Sequence, residues 1–311
     1  MVAAAALAWS GCGKSPTASE PGTATNAASA VSKTSASSAK TAGEKITRYE
    51  VLGVVQQVKT NESKIVIKHE AIPNYMAAMT MPFDYKSSND VTGLTPGDQV
   101  HFTLAVTDDD GWVENIRKTG FKTNAPPEHQ SVRRVRDVEP LEIGDLMPDY
   151  SFTNSFGKKI SLSDYKGQAL AFTFIFTRCP FPNFCPRMNK NFEGAYDILK
   201  EGAEKGNGPT NFHFISISFD PEFDTPERLK TYSETFHFDP AKWDFATGAM
   251  IDIDAITEQF GLYFAYDKGN FDHNLRTVVI DAAGKVAYIF IGNEWKPEEL
   301  AAEMAKAATV K

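Results

Sequence analysis

Two near-continuous apolar runs constrain this chain more than any other feature: ALAFTFIF at 169–176 and FHFISISF at 212–219. A strand with one wet face would alternate apolar and polar residues. Runs like these fit central strands of a sheet covered on both faces. Between them, MNKNFEGAYDILKEGAEKG carries a helical pattern that stops at Gly206. Strand, crossover helix and strand make a βαβ unit with parallel strands. Before it, DYSFTN-SFGKK-ISLSDY predicts a hairpin with its turn at Phe156-Gly157. After it, TPERLKTYSETF predicts a helix with Thr225 as N-cap, Pro226 at the first position and Glu227 in the first turn. IDAITEQFG predicts a further helix, stopped by Gly261, and TVVIDAAGKVAYIFIG a closing hairpin around Ala283-Gly284. KPEELAAEMAKAA is the terminal helix.

That element order is the one of an elaborated α/β thioredoxin-like fold, expected over 141–311. A different pattern occupies 48–121. YEVLGVVQQVKT, SKIVIKHE, MTMPFDY, QVHFTLAVT and WVENIRK are short strand candidates. They break at Asn61-Glu62, at Leu94-Thr95-Pro96-Gly97-Asp98 and at Asp108-Asp109-Asp110-Gly111. Five short strands at these intervals predict a small all-β barrel of the OB type. Residues 122–140, with NAPPEHQ, form a polar linker. Residues 13–47 are almost entirely Ala, Ser, Thr, Gly, Pro and Lys, which cannot bury a core. They are expected to be a disordered tether spanning about 30 Å.

A net charge of −8 and a pI near 5.4 argue against nucleic acid as a partner. No apolar run reaches transmembrane length. Three cysteines are too few for a disulfide scaffold. Cys12 follows the Ala-rich start MVAAAALAWSG, as at the end of a lipoprotein signal over 1–12. It is the expected lipidated first residue of the mature chain, although no Lys or Arg precedes the apolar stretch.

The other two cysteines, Cys179 and Cys185, lie in FTRCPFPNFCPRM, where an apolar strand ends and a helix follows. α/β folds place their sites at such strand ends, and a helix N-terminus favours the thiolate. Pro180, Pro182 and Pro186 are expected to keep both cysteines out of a regular helix. His273 lies just before the strand candidate at 277–280, in a loop that a thioredoxin fold returns to the dithiol. Two thiolates and an imidazole suit copper. A plain stabilising disulfide and a copper-free thiol–disulfide oxidoreductase are the alternatives. The exchange enzymes use Cys-x-x-Cys and a proline before the returning strand, and this chain has neither.

A second soft-donor set precedes the linker. Met76, Met79 and Met81 follow His69 in KHEAIPNYMAAMTMP. Met79 and Met81 are two apart on a strand candidate and share a face, and His69 ends the preceding strand. One imidazole with thioethers suits Cu(I) and disfavours Zn(II). Core filling is the bland alternative for the methionines. His101 sits inside a strand and is expected to be structural.

Over 140–311 the chain resembles the Sco/SenC family of membrane-tethered copper proteins. The matching residues are GDLMPDYSFTN, the Gly157-Lys158 turn, SLSDYKGQ, Thr177 before Cys179-Pro180, Cys185-Pro186 and SFDPEFDTPERL. Further along come Trp243 with Gly248 in WDFATG, FGLYF, Asp272-His273 and VIDAAGKV. The resemblance implies that Cys179, Cys185 and His273 bind copper, as Cu(I) or as Cu(II), and that the cysteines exchange disulfides. Asp220 and Asp224 match an acidic motif of the family, with turn and cap roles as the alternative to metal transfer. The family separates its cysteines by three residues, whereas five stand here, 180–184.

Over 48–120, KHEAIPNYMAAMTMPF resembles the metal site of CusF-type periplasmic copper-binding proteins. That implies His69, Met79 and Met81 as ligands. Met76 stands where the family has a capping tryptophan, which makes it a candidate fourth ligand, and Tyr75 is an alternative source of a ring. Together the two resemblances imply a lipid-anchored protein on the periplasmic side of a bacterial membrane. It would capture Cu(I) and deliver it to a client, a cytochrome oxidase subunit, with a thiol–disulfide reductant as second partner. A reductase acting on a client's cysteines and a copper resistance or storage protein are the alternatives.

Overall fold

The computed structural model describes residues 45–123, 138–237, 239–267 and 270–310. The expected signal at 1–12 with Cys12, the tether apart from its last residues, and 124–137 of the expected linker lie outside them.

Strands β1 (Thr47–Lys59), β2 (Lys64–His69), β3 (Met79–Tyr85), β4 (Asp98–Val106) and β5 (Gly111–Lys122) close into a barrel in the order β1-β2-β3-β5-β4. β4 returns to β1 antiparallel, and β3 meets β5 parallel. Closure leaves no unpaired edge. Alternation decides the inside. In β3, Met79, Met81, Phe83 and Tyr85 are all buried while Thr80, Pro82 and Asp84 are only half-buried. Gly53 admits the close approach of β2, since a Cβ there would stand 2.5 Å from Ile67.

The second half holds β6 (Ser151–Asn154), β7 (Lys159–Ser161), β8 (Ala169–Ile175), α1 (Cys185–Glu204), β9 (Phe212–Ser218), α2 (Pro226–Ser233), β10 (Trp243–Thr247) and α3 (Met250–Gln259). Then come β11 (Phe264–Asp267), β12 (Asn270–His273), β13 (Arg276–Ile280), β14 (Val286–Ile291) and α4 (Pro297–Ala307). Seven strands form one sheet in the order β14-β13-β8-β9-β10-β6-β7. β8, β9 and β10 run parallel, and every residue of β8 and β9 is buried. This is the thioredoxin-like arrangement expected from the element order, extended by a third parallel strand, WDFAT.

Three local differences from the sequence expectation bear on the site. The helix after the cysteine loop starts at Cys185 itself, so that cysteine is absorbed into α1. Pro186 does not prevent this, because a first-turn amide needs no intrahelical acceptor. The segment with His273 is not a plain loop. It forms β12, hairpinned with β11 as a separate two-stranded sheet. Lys122, at the expected linker start, still belongs to β5. Thr225 caps α2 as expected, accepting from the Arg228 N–H at 3.4 Å. Among the described residues no helix is long and apolar enough to cross a membrane.

A buried carboxylate pins the sheet where β10 meets its neighbours. Asp244 accepts from Asn154 Nδ2 at 2.7 Å, Tyr165 OH at 2.7 Å and His213 Nε2 at 2.8 Å. Burial pushes its pKa up, but these donors outweigh burial and hold the carboxyl below its ordinary value. Its stabilisation is therefore present above the unfolded value of about pH 4 and is lost as the pH falls through the lower folded value. Asp244→Ala is expected to cost about 3 kcal/mol in urea denaturation at pH 7. The difference from wild type should shrink on acidification; a difference independent of pH would contradict this account.

Candidate metal centre

The candidate centre starts where β8 ends. Cys179 lies four residues beyond Ile175 and its N–H donates to the Phe176 carbonyl at 3.2 Å. The loop then returns so that Cys185 opens α1. β12 ends at His273. The donor atoms of Cys179, Cys185 and His273 all lie within 4.8 Å of one another. Both cysteines are free thiols, Cys185 buried and Cys179 partly exposed.

The proton on His273 is placed by its own backbone. Nδ1 is 2.8 Å from the Asn274 carbonyl, which can only accept. Nδ1 therefore donates to that carbonyl, and Nε2 is the ring nitrogen left for another partner. Asn274 is itself clamped: its side chain accepts from the Tyr263 N–H at 2.8 Å and donates to the Gly261 carbonyl at 3.0 Å. Phe176, Phe184 and Phe219 surround the imidazole with ring centroids 5.3–5.5 Å away. Apolar rings cover the site on that side.

The two thiols are not equivalent. Burial opposes ionisation of Cys179, but the Cys185 thiol and His273 beside it bring its pKa well below the ordinary thiol value. Burial, reinforced by the neighbouring Cys179, raises that of Cys185. The pair therefore titrates as one thiolate backed by one thiol.

Asp224 and Asp220 stand behind the loop rather than in it. Asp224 accepts from the Thr177 N–H at 3.0 Å, from the Thr177 hydroxyl and from Ser218 Oγ at 2.5 Å. It ties the start of the cysteine loop to the end of β9. Asp220 pairs with Arg178 at 2.6 Å. These contacts make both residues positioning groups for the loop.

The methionine set is built on β2 and β3. His69 faces Met79 across the ladder, and Ile67 faces Met81. His69 is 2% exposed. Its Nδ1 is 2.7 Å from the Glu70 carbonyl, so Nδ1 donates and Nε2 is the bare nitrogen. Nε2 is buried with no hydrogen-bond partner. Burial holds the His69 pKa below its ordinary value despite that backbone bond, which keeps the imidazole neutral. An orphaned, neutral, buried imidazole nitrogen beside thioethers fits a soft metal ion. Met76 is buried in the connection between the strands, where it pairs with Ile72. Tyr75 stacks on Tyr49 with centroids 4.6 Å apart. His101 is exposed, 3.5 Å from Glu50.

The two sets meet. Met79, Met81, Cys179 and His273 line one cavity of about 10 Å³, roofed by phenylalanines. Met76, His69 and Cys185 lie outside its lining. Sequence reasoning did not find Phe181, Asn183 or Asn274, which hold this arrangement. The two extra residues between the cysteines were the available signal for the first two.

Comparison with known proteins follows this division. A model of the family SCO1/SenC matches residues 139–309, more than half of the chain. A model described as copper binding periplasmic protein CusF matches residues 48–118. A SCO1 protein homolog of Bacillus subtilis is 29% identical over 167 residues, which are 52% of this chain and 82% of that protein. Protein sco1 of Schizosaccharomyces pombe is 28% identical over 160 residues, 49% of this chain and 57% of that protein. The chain thus spans little more than half of that second relative. The crystal structure of a SCO1/SenC family lipoprotein from Bacillus anthracis is 29% identical and superposes with a TM-score of 0.46, covering 55% of this chain and 95% of that one.

The inequality of the thiols is testable. Limiting iodoacetamide at pH 6 should label Cys179 well ahead of Cys185, as read by peptide mass spectrometry, and His273→Gln should slow the labelling. Preferential labelling of Cys185 would contradict the assignment.

Proposed function

The chain belongs to the SCO1/SenC family, and from that premise we propose that it is a Cu(I)-handling protein. Cys179, Cys185 and His273 are its redox-switchable ligands, and His69, Met79 and Met81 its constant ones, with Met76 as the candidate fourth ligand of the constant set. The observation that carries this is the convergence of two thiol sulfurs and one imidazole nitrogen within 4.8 Å, beside the rings of Phe176, Phe184 and Phe219. Thiolate, thioether and imidazole are the donors Cu(I) takes. The match of the first half to a copper-binding periplasmic family supports the second set. The barrel order, with β3 parallel to β5, supports the OB-type assignment.

The chemistry is ligand exchange without electron transfer. Thioethers cannot form disulfides, so His69, Met79 and Met81 capture Cu(I) in either redox state. The reduced dithiol accepts it: bonds to methionine sulfur break as bonds to Cys179 and Cys185 form, and the Cys185 thiol releases its proton. Asp224 and Asn274 take no part in bonding the ion. They fix the loop and the histidine that receive it. Domains divide as 47–122 and 141–311, joined by 123–140, with Cys12 as a lipid anchor and 13–46 as tether on the periplasmic side of a bacterial membrane. The client is a copper centre of cytochrome oxidase, the partner the family resemblance implies, and a thiol–disulfide reductant resets the cysteines.

A second reading is favoured by the unequal thiols: a thiolate beside a protonated partner is also the attacking arrangement of a disulfide reductase. His273→Ala separates the two. Cu(I) affinity of the reduced chain should fall by at least about 10-fold, with dithiol exchange on a small disulfide slowed but retained. If exchange is lost and copper affinity is unchanged, the reductase reading takes over.

A further inference from the structure

The five-residue cysteine loop does more than connect two ligands. Phe181, 2% exposed, leans out of it onto the barrel, edge-on to Phe83 with centroids 5.8 Å apart. It occupies space that only a glycine leaves: a Cβ on Gly111 would stand 2.7 Å from its ring. Asn183, 1% exposed, donates Nδ2 to Asp84 at 3.1 Å and to the Gly111 carbonyl at 2.9 Å. Its own carbonyl accepts from Asn293 Nδ2 at 2.6 Å. Lys64 joins Asp84 to Glu294 at 2.8 and 2.7 Å, and Arg187 reaches Asp110 at 3.2 Å. These contacts press β3 against the dithiol loop and against β12.

The consequence is the shared cavity. Its volume of about 10 Å³ holds roughly one water-sized body. Two separately occupied sites would bring two cations to the two walls of that space. One ion between the walls meets soft donors on both.

We propose that this cavity is a single Cu(I) site shared by the two domains, with Met79 and Met81 on one wall and Cys179 and His273 on the other, assembled by the loop between the cysteines. This rests on the assignment of those residues as copper ligands. His69 stands opposite Met79 in the β2–β3 ladder, outside the lining, and the Cys185 sulfur lies within 4.8 Å of the Cys179 and His273 donors. An ion in the shared site can therefore exchange toward either set. Oxidation state does not change: each step exchanges one donor for another, and binding to Cys185 releases the proton of its thiol.

The test is a Cu(I) titration of the reduced full chain, anaerobically and with an acetonitrile complex as the copper source. Methionine ε-methyl carbons and histidine ring nitrogens are followed by NMR. The methyls of Met79 and Met81 and Nε2 of His273 should shift together and saturate together at the first equivalent. Saturation of His273 at the first equivalent, with the methyls moving only at the second, would overturn the shared site while leaving the ligand assignments intact. No response from any of these groups would defeat the ligand assignments themselves, and the shared site with them. Gly111→Ala changes no ligand but displaces Phe181. It should split the joint response into two steps, and a joint response unaltered by it would overturn the role given to the loop.

Discussion

The contacts of Asn183 hold the rest of the arrangement in place. One buried side-chain amide reaches the barrel through Asp84 and Gly111, and the backbone carbonyl of the same residue takes a hydrogen bond from Asn293 beside β14. Its Nδ2 is paired twice, while its Oδ1 is buried without a hydrogen-bond partner. Losing the Nδ2 bonds would leave a buried donor unpaired as well, which favours the loop placement with Phe181 seated over Gly111. Cys179 precedes this loop and Cys185 follows it. Fixing the loop fixes the separation of the two sulfurs, and it also fixes which part of the barrel faces them. The part that faces them is β3, with its two inward methionines.

The two histidines show one solution used twice. His69 and His273 each close a strand, and each gives its Nδ1 hydrogen to the carbonyl of the next residue. Both rings thereby leave Nε2 as the nitrogen that the backbone does not engage. This preorganisation is backbone chemistry and needs no carboxylate partner. It suits a site that must take up and release its ion, because no second charge has to be rearranged on transfer. The acidic residues near the dithiol, Asp220 and Asp224, are spent on Arg178, Thr177 and Ser218 instead.

Much of this was legible in the sequence, and the reasons differ by element. β8 and β9 announce themselves because a strand buried on both faces has no polar alternation to hide it. The proposed donors His69, Met79 and Met81 fall within one short motif, and Met79 shares a face with Met81 by the period of a strand. Cys185 was misplaced because proline is a helix breaker in the interior yet a good first-turn residue, and the sequence does not say where the helix starts. β12 is four residues, NFDH, too short and polar to show a period. The role of Phe181 depends on a glycine 70 positions away, and that of Asn274 on a neighbouring loop. The meeting of the two ligand sets is a distance between separate domains, which no local pattern encodes.

The central claim is that copper is held by thiolates that oxidation can withdraw. Competition of the protein against a chromophoric Cu(I) chelator, before and after closing the disulfide between Cys179 and Cys185, tests it most directly. The account predicts that affinity falls by orders of magnitude on oxidation, to a remainder carried by His69, Met79 and Met81. An affinity unchanged by oxidation would remove the dithiol from the copper site and contradict the account.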